Sequence, residues 1–198
     1  ARGELLAATA GAALLVLGAR GTSPLRDALL GTTAERLLAT ARVPVLVVRR
    51  GADGPYRRVV VPVDLSPASE PALRLARQVA PQASIGVVHA IDSPFEGKLR
   101  VAGVPDAQIA AHRALVRRRA LDAIVALEGR AAVTAARRPA LVVDADPALA
   151  VLEAARDSAA DLIVMGRCEP SAVADLVLGS VTRHVLADAA CDVLVLPV

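Results

Sequence analysis

Residues 160–198, ADLIVMGRCEPSAVADLVLGSVTRHVLADAACDVLVLPV, align without a gap on residues 12–50, AALLVLGARGTSPLRDALLGTTAERLLATARVPVLVVRR, at an offset of 148. Identical pairs include Leu14 and Leu162, Val16 and Val164, Gly18 and Gly166, Ser23 and Ser171, Asp27 and Asp175, Leu30 and Leu178, Gly31 and Gly179, Leu38 and Leu186, and Val45–Val47 with Val193–Val195. A gapless match that keeps glycines in step marks a duplicated unit rather than shared composition. Each copy reads as strand, glycine-bounded loop, helix, strand. The apolar runs are Ala13–Leu17 and Leu162–Met165, then Val45–Val48 and Val193–Leu196. Between them, Ala34, Leu37, Leu38 and Ala41, and likewise Thr182, Val185, Leu186 and Ala189, recur at the helical spacing i, i+3, i+4, i+7. Thr32 and Glu35 form an S/T-x-x-E capping box in the first copy, whereas Ser180 has Arg183 three residues on.

Working outward, Gly51–Tyr56 reads as a linker and Val59–Val63 as a β-branched strand without polar alternation, the pattern of a buried parallel strand. Pro71 would clash four residues into a helix, so the spacing places an N-cap at Ser69 and a buried stripe at Ala72, Leu75, Ala76 and Val79. A second strand is expected over Ile85–Ile91, a long helix over Asp106–Gly129 stopped by its glycine, and a third strand over Ala140–Val143. Asp146-Pro147 opens a helix running to about Ala159. Alternating strands and helices predict an α/β fold: a five-stranded parallel sheet with helices on both faces and a site at the carboxyl ends of the strands. The expected division is residues 51–198 as one complete unit and residues 1–50 as the C-terminal portion of another. With no Met at position 1, the chain is expected to lack its natural N-terminus.

Composition narrows the function. Of 198 residues 55% are hydrophobic and 22% charged, which excludes a disordered chain. Tyr56 and Phe95 are the only aromatics, so no stacking platform for single-stranded nucleic acid exists. The net charge of +3 comes from arginines with Lys98 the single lysine, and runs such as Arg117–Arg119 read as solvated helix faces, which argues against a nucleic-acid partner. Cys168 and Cys191 are too few for a disulfide framework and suit a reducing cytoplasm. The uncharged stretch Leu5–Ala19 is short of the roughly 20 residues that cross a bilayer, so no membrane association is expected.

Gly18-x2-Gly21-x9-Gly31-Thr32-Thr33 lies at a strand end and runs into a helix start. Glycine turns let backbone N–H groups approach phosphate oxygens, the helix start adds unpaired donors, and threonine hydroxyls add more. The same glycines also serve tight strand-to-helix turns, and the pattern alone leaves both readings open. There is no Walker-type P-loop and no G-x-G-x-x-G fingerprint. His89, His112 and His184 lack metal-ligand spacing and read as packing or solvated side chains. Asp144 and Asp146 read as a turn and a helix cap, and Cys168 beside Arg167 as a minor redox candidate.

Val61-Pro-Val-Asp-x-Ser66, the Val88-His89-Ala90 strand end, Asp146-Pro147, Asp161-Leu-Ile-Val-Met-Gly166 and the glycine loops together resemble the universal stress protein family. The resemblance spans nearly the whole chain. It implies an adenine nucleotide α-hydrolase-like fold, pairing through the final strand, and stress-response regulation or partner binding with no defining reaction, at most weak adenine nucleotide hydrolysis. Carried over residue by residue, it sets Pro62 and Asp64 against adenine and ribose, Ala90 on the adenine edge, and Gly166, Arg167, Gly179, Ser180 and Val181 in a phosphate cradle for ATP with its Mg²⁺. Glu169 departs from the pattern where the family has a glycine, so the resemblance implies a damaged second site and nucleotide held at most by the first loop. The alternative is a nucleotide-independent interaction and dimerisation module. By the repeat, Val45–Val48 and Val193–Leu196 are expected to pair antiparallel, covering two apolar strand edges.

Overall fold

The computed structural model describes residues 11–18, 32–49, 51, 54–91, 101–133, 139–167 and 178–197. Among the described residues, seven strands and five helices follow in the order β1 (Leu15–Gly18), α1 (Thr32–Thr40), β2 (Val45–Val48), β3 (Arg58–Pro62), α2 (Ser69–Val79), β4 (Ser84–Ile91), α3 (Asp106–Arg130), β5 (Leu141–Asp144), α4 (Pro147–Asp157), β6 (Leu162–Gly166), α5 (Ser180–Asp188) and β7 (Asp192–Leu196). All seven strands form one sheet, ordered β1-β2-β7-β6-β3-β4-β5.

The five strands β3 to β7 are parallel as expected, but β1 and β2 join them, so that the five-stranded sheet anticipated for one unit is part of a single mixed seven-stranded sheet. Every neighbouring pair is parallel except β2 and β7, which run antiparallel with Val45 opposite Val195, Leu46 opposite Leu194 and Val47 opposite Val193. The two final strands therefore pair as anticipated, and that pairing joins β1 and β2 to the other five strands in a single mixed sheet. A consequence follows for the ends of the sheet. Because the direction reverses at β2–β7, the carboxyl end of β1 points the opposite way from those of β3, β4, β6 and β7.

The central strand, β6, is apolar on both sides because both faces are covered. Ile163 and Met165 face α1, α4 and α5, in one core with Leu38, Val151, Val185 and Leu186. Leu162 and Val164 face α2 and α3, in a second core with Leu73, Ala76, Ile124 and Leu127. Leu162, Ile163 and Val164 have no exposed surface, each such burial contributing about 1.5–3 kcal/mol. Away from the centre the cover thins, and Val16 in β1, the repeat partner of Val164, is 56% exposed.

Three local expectations need correction. Ser69 is the first residue of α2, after Ala68 at the cap, because its hydroxyl is drawn back to the Asp64 carboxylate instead of capping the helix. The buried stripe of α2 is Ser69, Ala72, Leu73 and Ala76, with Leu75 and Val79 only partly buried. Helix α3 runs through Gly129, and the left-handed residue that follows it is Ala132 at φ 55°, where Val133 N–H donates to the Glu128 carbonyl at 3.0 Å. Of the Thr32–Glu35 capping box, the Thr32 side chain lies outside those described.

Polar clasps flank the β2–β7 seam. Asp192, buried at the start of β7, accepts the Arg49 backbone N–H and the Tyr56 hydroxyl, both at 2.7 Å. Burial and the bond to Asp192 push the Tyr56 phenol up, which keeps it an O–H donor. The Arg49 guanidinium reaches across to the Leu186 and Ala187 carbonyls in the last turn of α5. In the mirror arrangement, Arg167 donates to the Leu38 and Ala39 carbonyls in the last turn of α1. Leu38 and Ala39 are the repeat equivalents of Leu186 and Ala187. A cation at a helix C-terminus meets unpaired carbonyls and the negative end of the dipole, so both contacts tie helix to seam.

Candidate functional site

Parallel strands end together, and at the carboxyl ends of β3, β4 and β6 the backbone diverges into loops. A cavity of about 300 Å³ opens there. The strand ends supply Pro62, Val63, Asp64, Val88, His89, Ala90, Met165 and Gly166; α4 supplies Pro147 and Val151, and α5 supplies Val181 and Thr182. Ala68 and Ser69 complete the wall from the start of α2. Among these described lining residues there is no Arg or Lys, and the surface is mostly apolar.

Asp64 sits at the rim on a tight turn. Its Oδ1 accepts the Ser66 N–H at 3.0 Å and the Ser69 hydroxyl at 2.9 Å, while Ser66 Oγ accepts the Ala68 N–H at 3.3 Å. Partial burial raises the carboxyl, but the hydrogen bonds from Ser66 and Ser69 outweigh it and hold Asp64 below the usual carboxylate range. The turn bends through Leu65 at φ 62°, a left-handed conformation that costs a leucine roughly 1–2 kcal/mol. That geometry turns the chain from β3 into α2 and leaves a fixed negative charge at the mouth of the cavity.

Two helix N-termini face this space and are finished differently. At α4 the Asp146 carboxylate accepts the Ala148 and Leu149 N–H groups at 2.9 and 3.1 Å, the cap read from Asp146-Pro147. At α5 the cap is Gly179, which has no side chain to offer. The first-turn N–H groups of α5 are thus without a side-chain cap.

Of the predicted residues, the structure brings Pro62, Asp64, Ala90, Gly166 and Val181 into one cavity wall. Gly179 and Ser180 begin α5 beside it, Ser180 exposed. Arg167 is turned away, its side chain engaged with α1 and its N–H with the Leu196 carbonyl. Gly18 ends β1 toward the opposite end of the sheet, and of Thr32 and Thr33 only the backbone, at the start of α1, is described. Gly21, Gly31, Lys98, Cys168 and Glu169 lie outside the described residues. Gly166 has a packing reason to be glycine, since a Cβ there would come 3.2 Å from the Ala68 Cβ.

Three polar lining residues, Ser69, His89 and Thr182, are not among the residues that the sequence singles out for a site. His89 reads in the sequence as a packing or solvated side chain, yet it lines the cavity, where its Nδ1–H donates to the Val63 carbonyl at 2.8 Å. Thr182 was read only as part of the buried helical stripe, yet it also lines the cavity. A wider depression of about 600 Å³ at the amino ends of the strands is lined by α4, the end of α5 and both signs of charge, from Arg58, Arg156, Glu153 and Asp188. It gathers none of the predicted residues. Among the described residues there is no cluster of three or more metal-ligating side chains, and no helix is long and apolar enough to cross a membrane.

Comparison with known proteins fits this geometry. The sequence profile of the Universal stress protein family matches residues 3–49 and 55–197. A curated relative, a "Universal stress protein in QAH/OAS sulfhydrylase 3'region" from Thermus aquaticus, is 44% identical over 70 residues, covering 35% of this chain and 51% of the relative. The match thus spans about half the length of that relative. Among solved structures, a functionally unknown protein from Pseudomonas aeruginosa PAO1 superposes with a TM-score of 0.72 at 17% identity, over 100% of this chain and 68% of its own. A universal stress protein solved in complex with cAMP gives a TM-score of 0.51 at 26% identity, over 73% of this chain and 98% of its own.

Proposed function

The chain belongs to the universal stress protein family, and from that premise we propose that its carboxyl-end cavity binds an adenine mononucleotide and that the protein acts in the cytoplasm as a stress-response binding protein rather than through turnover. The observation that carries this is the convergence of Pro62, Asp64, Ala90, Gly166 and Val181 on one mostly apolar cavity beside the uncapped start of α5. An apolar slot between strand ends suits a purine, a rim carboxylate suits ribose hydroxyls, and open N–H groups at a helix start suit a phosphate. The cAMP complex of a related fold supports the ligand class.

A single phosphate fits better than three. Asp64 is held ionised at the mouth, no Arg or Lys lines the described wall, and Glu169 adds a carboxylate to the loop sequence where the family pattern has glycine. Carboxylate–phosphate repulsion at partly screened distances costs about 1–4 kcal/mol. In this reading residues 51–198 form a complete unit and residues 1–50 the end of another, with the antiparallel β2–β7 seam as an internal counterpart of a dimer contact. The two-part profile match and the gapless repeat support that division.

Calorimetric titration tests the proposal. AMP or cAMP is expected to bind, ATP more weakly, and Val181→Phe, which fills the cavity, to abolish the heat. Glu169→Gly should raise ATP affinity about tenfold, a gain within that repulsion. A second reading, a nucleotide-independent interaction module, draws on Gly166, whose small size is already demanded by Ala68 without any ligand. Absence of heat with every adenine nucleotide would select it.

A further inference from the structure

Thr182 presents a polar group that the fold does not use. It has no exposed surface, and its Oγ1 has no hydrogen-bond partner among the described residues. A threonine in a helix ordinarily returns its hydroxyl to a carbonyl three or four residues back. Here it bonds to neither: the Leu178 oxygen accepts the Arg183 guanidinium at 3.1 Å and the Gly179 oxygen the Arg183 backbone N–H at 2.9 Å, but no bond from Thr182 Oγ1 reaches them. Val151, Met165 and Val181 share with it a mostly apolar cavity wall, whose polar side chains besides Thr182 are Asp64, Ser69 and His89 among the described residues. Burying a hydroxyl in such a place without a partner is destabilising, because the water it gives up is not replaced. The helix itself does not require it, because the repeat places Ala34 at the equivalent position.

We infer that the Thr182 hydroxyl is a ligand contact, pairing with a neutral polar group on the nucleoside portion of the bound nucleotide. The inference rests on the adenine mononucleotide reading and deepens it. A neutral group is specified because the wall around Thr182 carries no Arg or Lys among the described residues, so a charged phosphate placed there would lose its hydration without a counter-charge. The hydroxyl both donates and accepts, and it sets a direction for a ring that the apolar wall would otherwise hold in any orientation.

Thr182→Val keeps the shape and removes the hydrogen bond; Thr182→Ser keeps the hydrogen bond and removes a methyl. The full chain and both variants are compared by AMP titration calorimetry and by thermal unfolding without ligand. Thr182→Val is expected to raise the ligand-free Tm by a few degrees, since an unpaired buried hydroxyl is gone, and to weaken AMP binding about tenfold. Thr182→Ser should hold AMP affinity within about threefold of the parent. Opposite signs for stability and affinity are what a purely structural residue would not give. If the parent binds AMP and Thr182→Val binds it equally well, or if Thr182→Val loses stability and affinity together, the contact is refuted while the nucleotide reading stands. If the parent binds no AMP, the nucleotide reading fails and the contact with it.

Discussion

The seam between β2 and β7 and the cavity at the ends of β3, β4 and β6 both place polar atoms out of water, but they treat them differently. At the seam, Asp192 takes the Arg49 N–H and the Tyr56 hydroxyl, and two arginines close the last turns of α1 and α5. Arg49 Nε is the one unpartnered side-chain atom there among the described residues. In the cavity the Thr182 hydroxyl has no partner among the described residues, α5 begins on a glycine without a side-chain cap, and the wall is mostly apolar. Buried polarity that is paired within the chain holds the architecture together, whereas the hydroxyl left unpaired beside the cavity is the observation on which the proposed ligand contact rests.

The contrast predicts where a substitution registers. Asp192→Ala should have the largest effect, a loss of about 2 kcal/mol in urea unfolding, because it strands the partly buried Tyr56 hydroxyl and Arg49 N–H. Arg167→Ala, which removes only the reach to α1, should cost about 1 kcal/mol. Both should leave AMP affinity nearly unchanged; a loss of binding in either would dissolve the separation between seam and cavity.

The smallest effect concerns Asp64 and acid. Its carboxyl is depressed in the folded state, so the stability it adds is fully present above the unfolded-state value near pH 4 and is lost as pH falls through the folded one. Asp64→Asn should therefore differ from the parent above about pH 4, with the gap narrowing below it, in unfolding curves collected from pH 2 to 6. A constant gap across that range would mean that the Ser66 and Ser69 bonds do not depend on the charge.

Much of this molecule is legible in its sequence, for identifiable reasons. The repeat locates both final strands, and their apolar, edge-exposing runs imply the antiparallel pairing that is observed. What the repeat does not convey is that this pairing merges the seven described strands into one sheet and so turns the carboxyl end of β1, at Gly18, to the other end. Asp146-Pro147 reads correctly as a cap, because a cap is a local interaction between neighbours. Ser69 does not, because its hydroxyl answers to Asp64 across a turn. Arg167 looks like a phosphate ligand beside Gly166 in the chain, yet its partners are 128 and 129 residues away. Thr182 fits a helical stripe so well that nothing in its spacing singles it out; the signal was its mismatch with Ala34 in the repeat.

The central claim, that the cavity at the carboxyl ends of β3, β4 and β6 is a nucleotide site, is tested most directly by a ¹H–¹⁵N NMR titration of the full chain with AMP. The account predicts saturable shifts of the Val63, Ala90, Val181 and Thr182 amides, with Gly18 and Val48 at the far end of the sheet unmoved. Shifts confined to β1 and β2, or none at all, would contradict it.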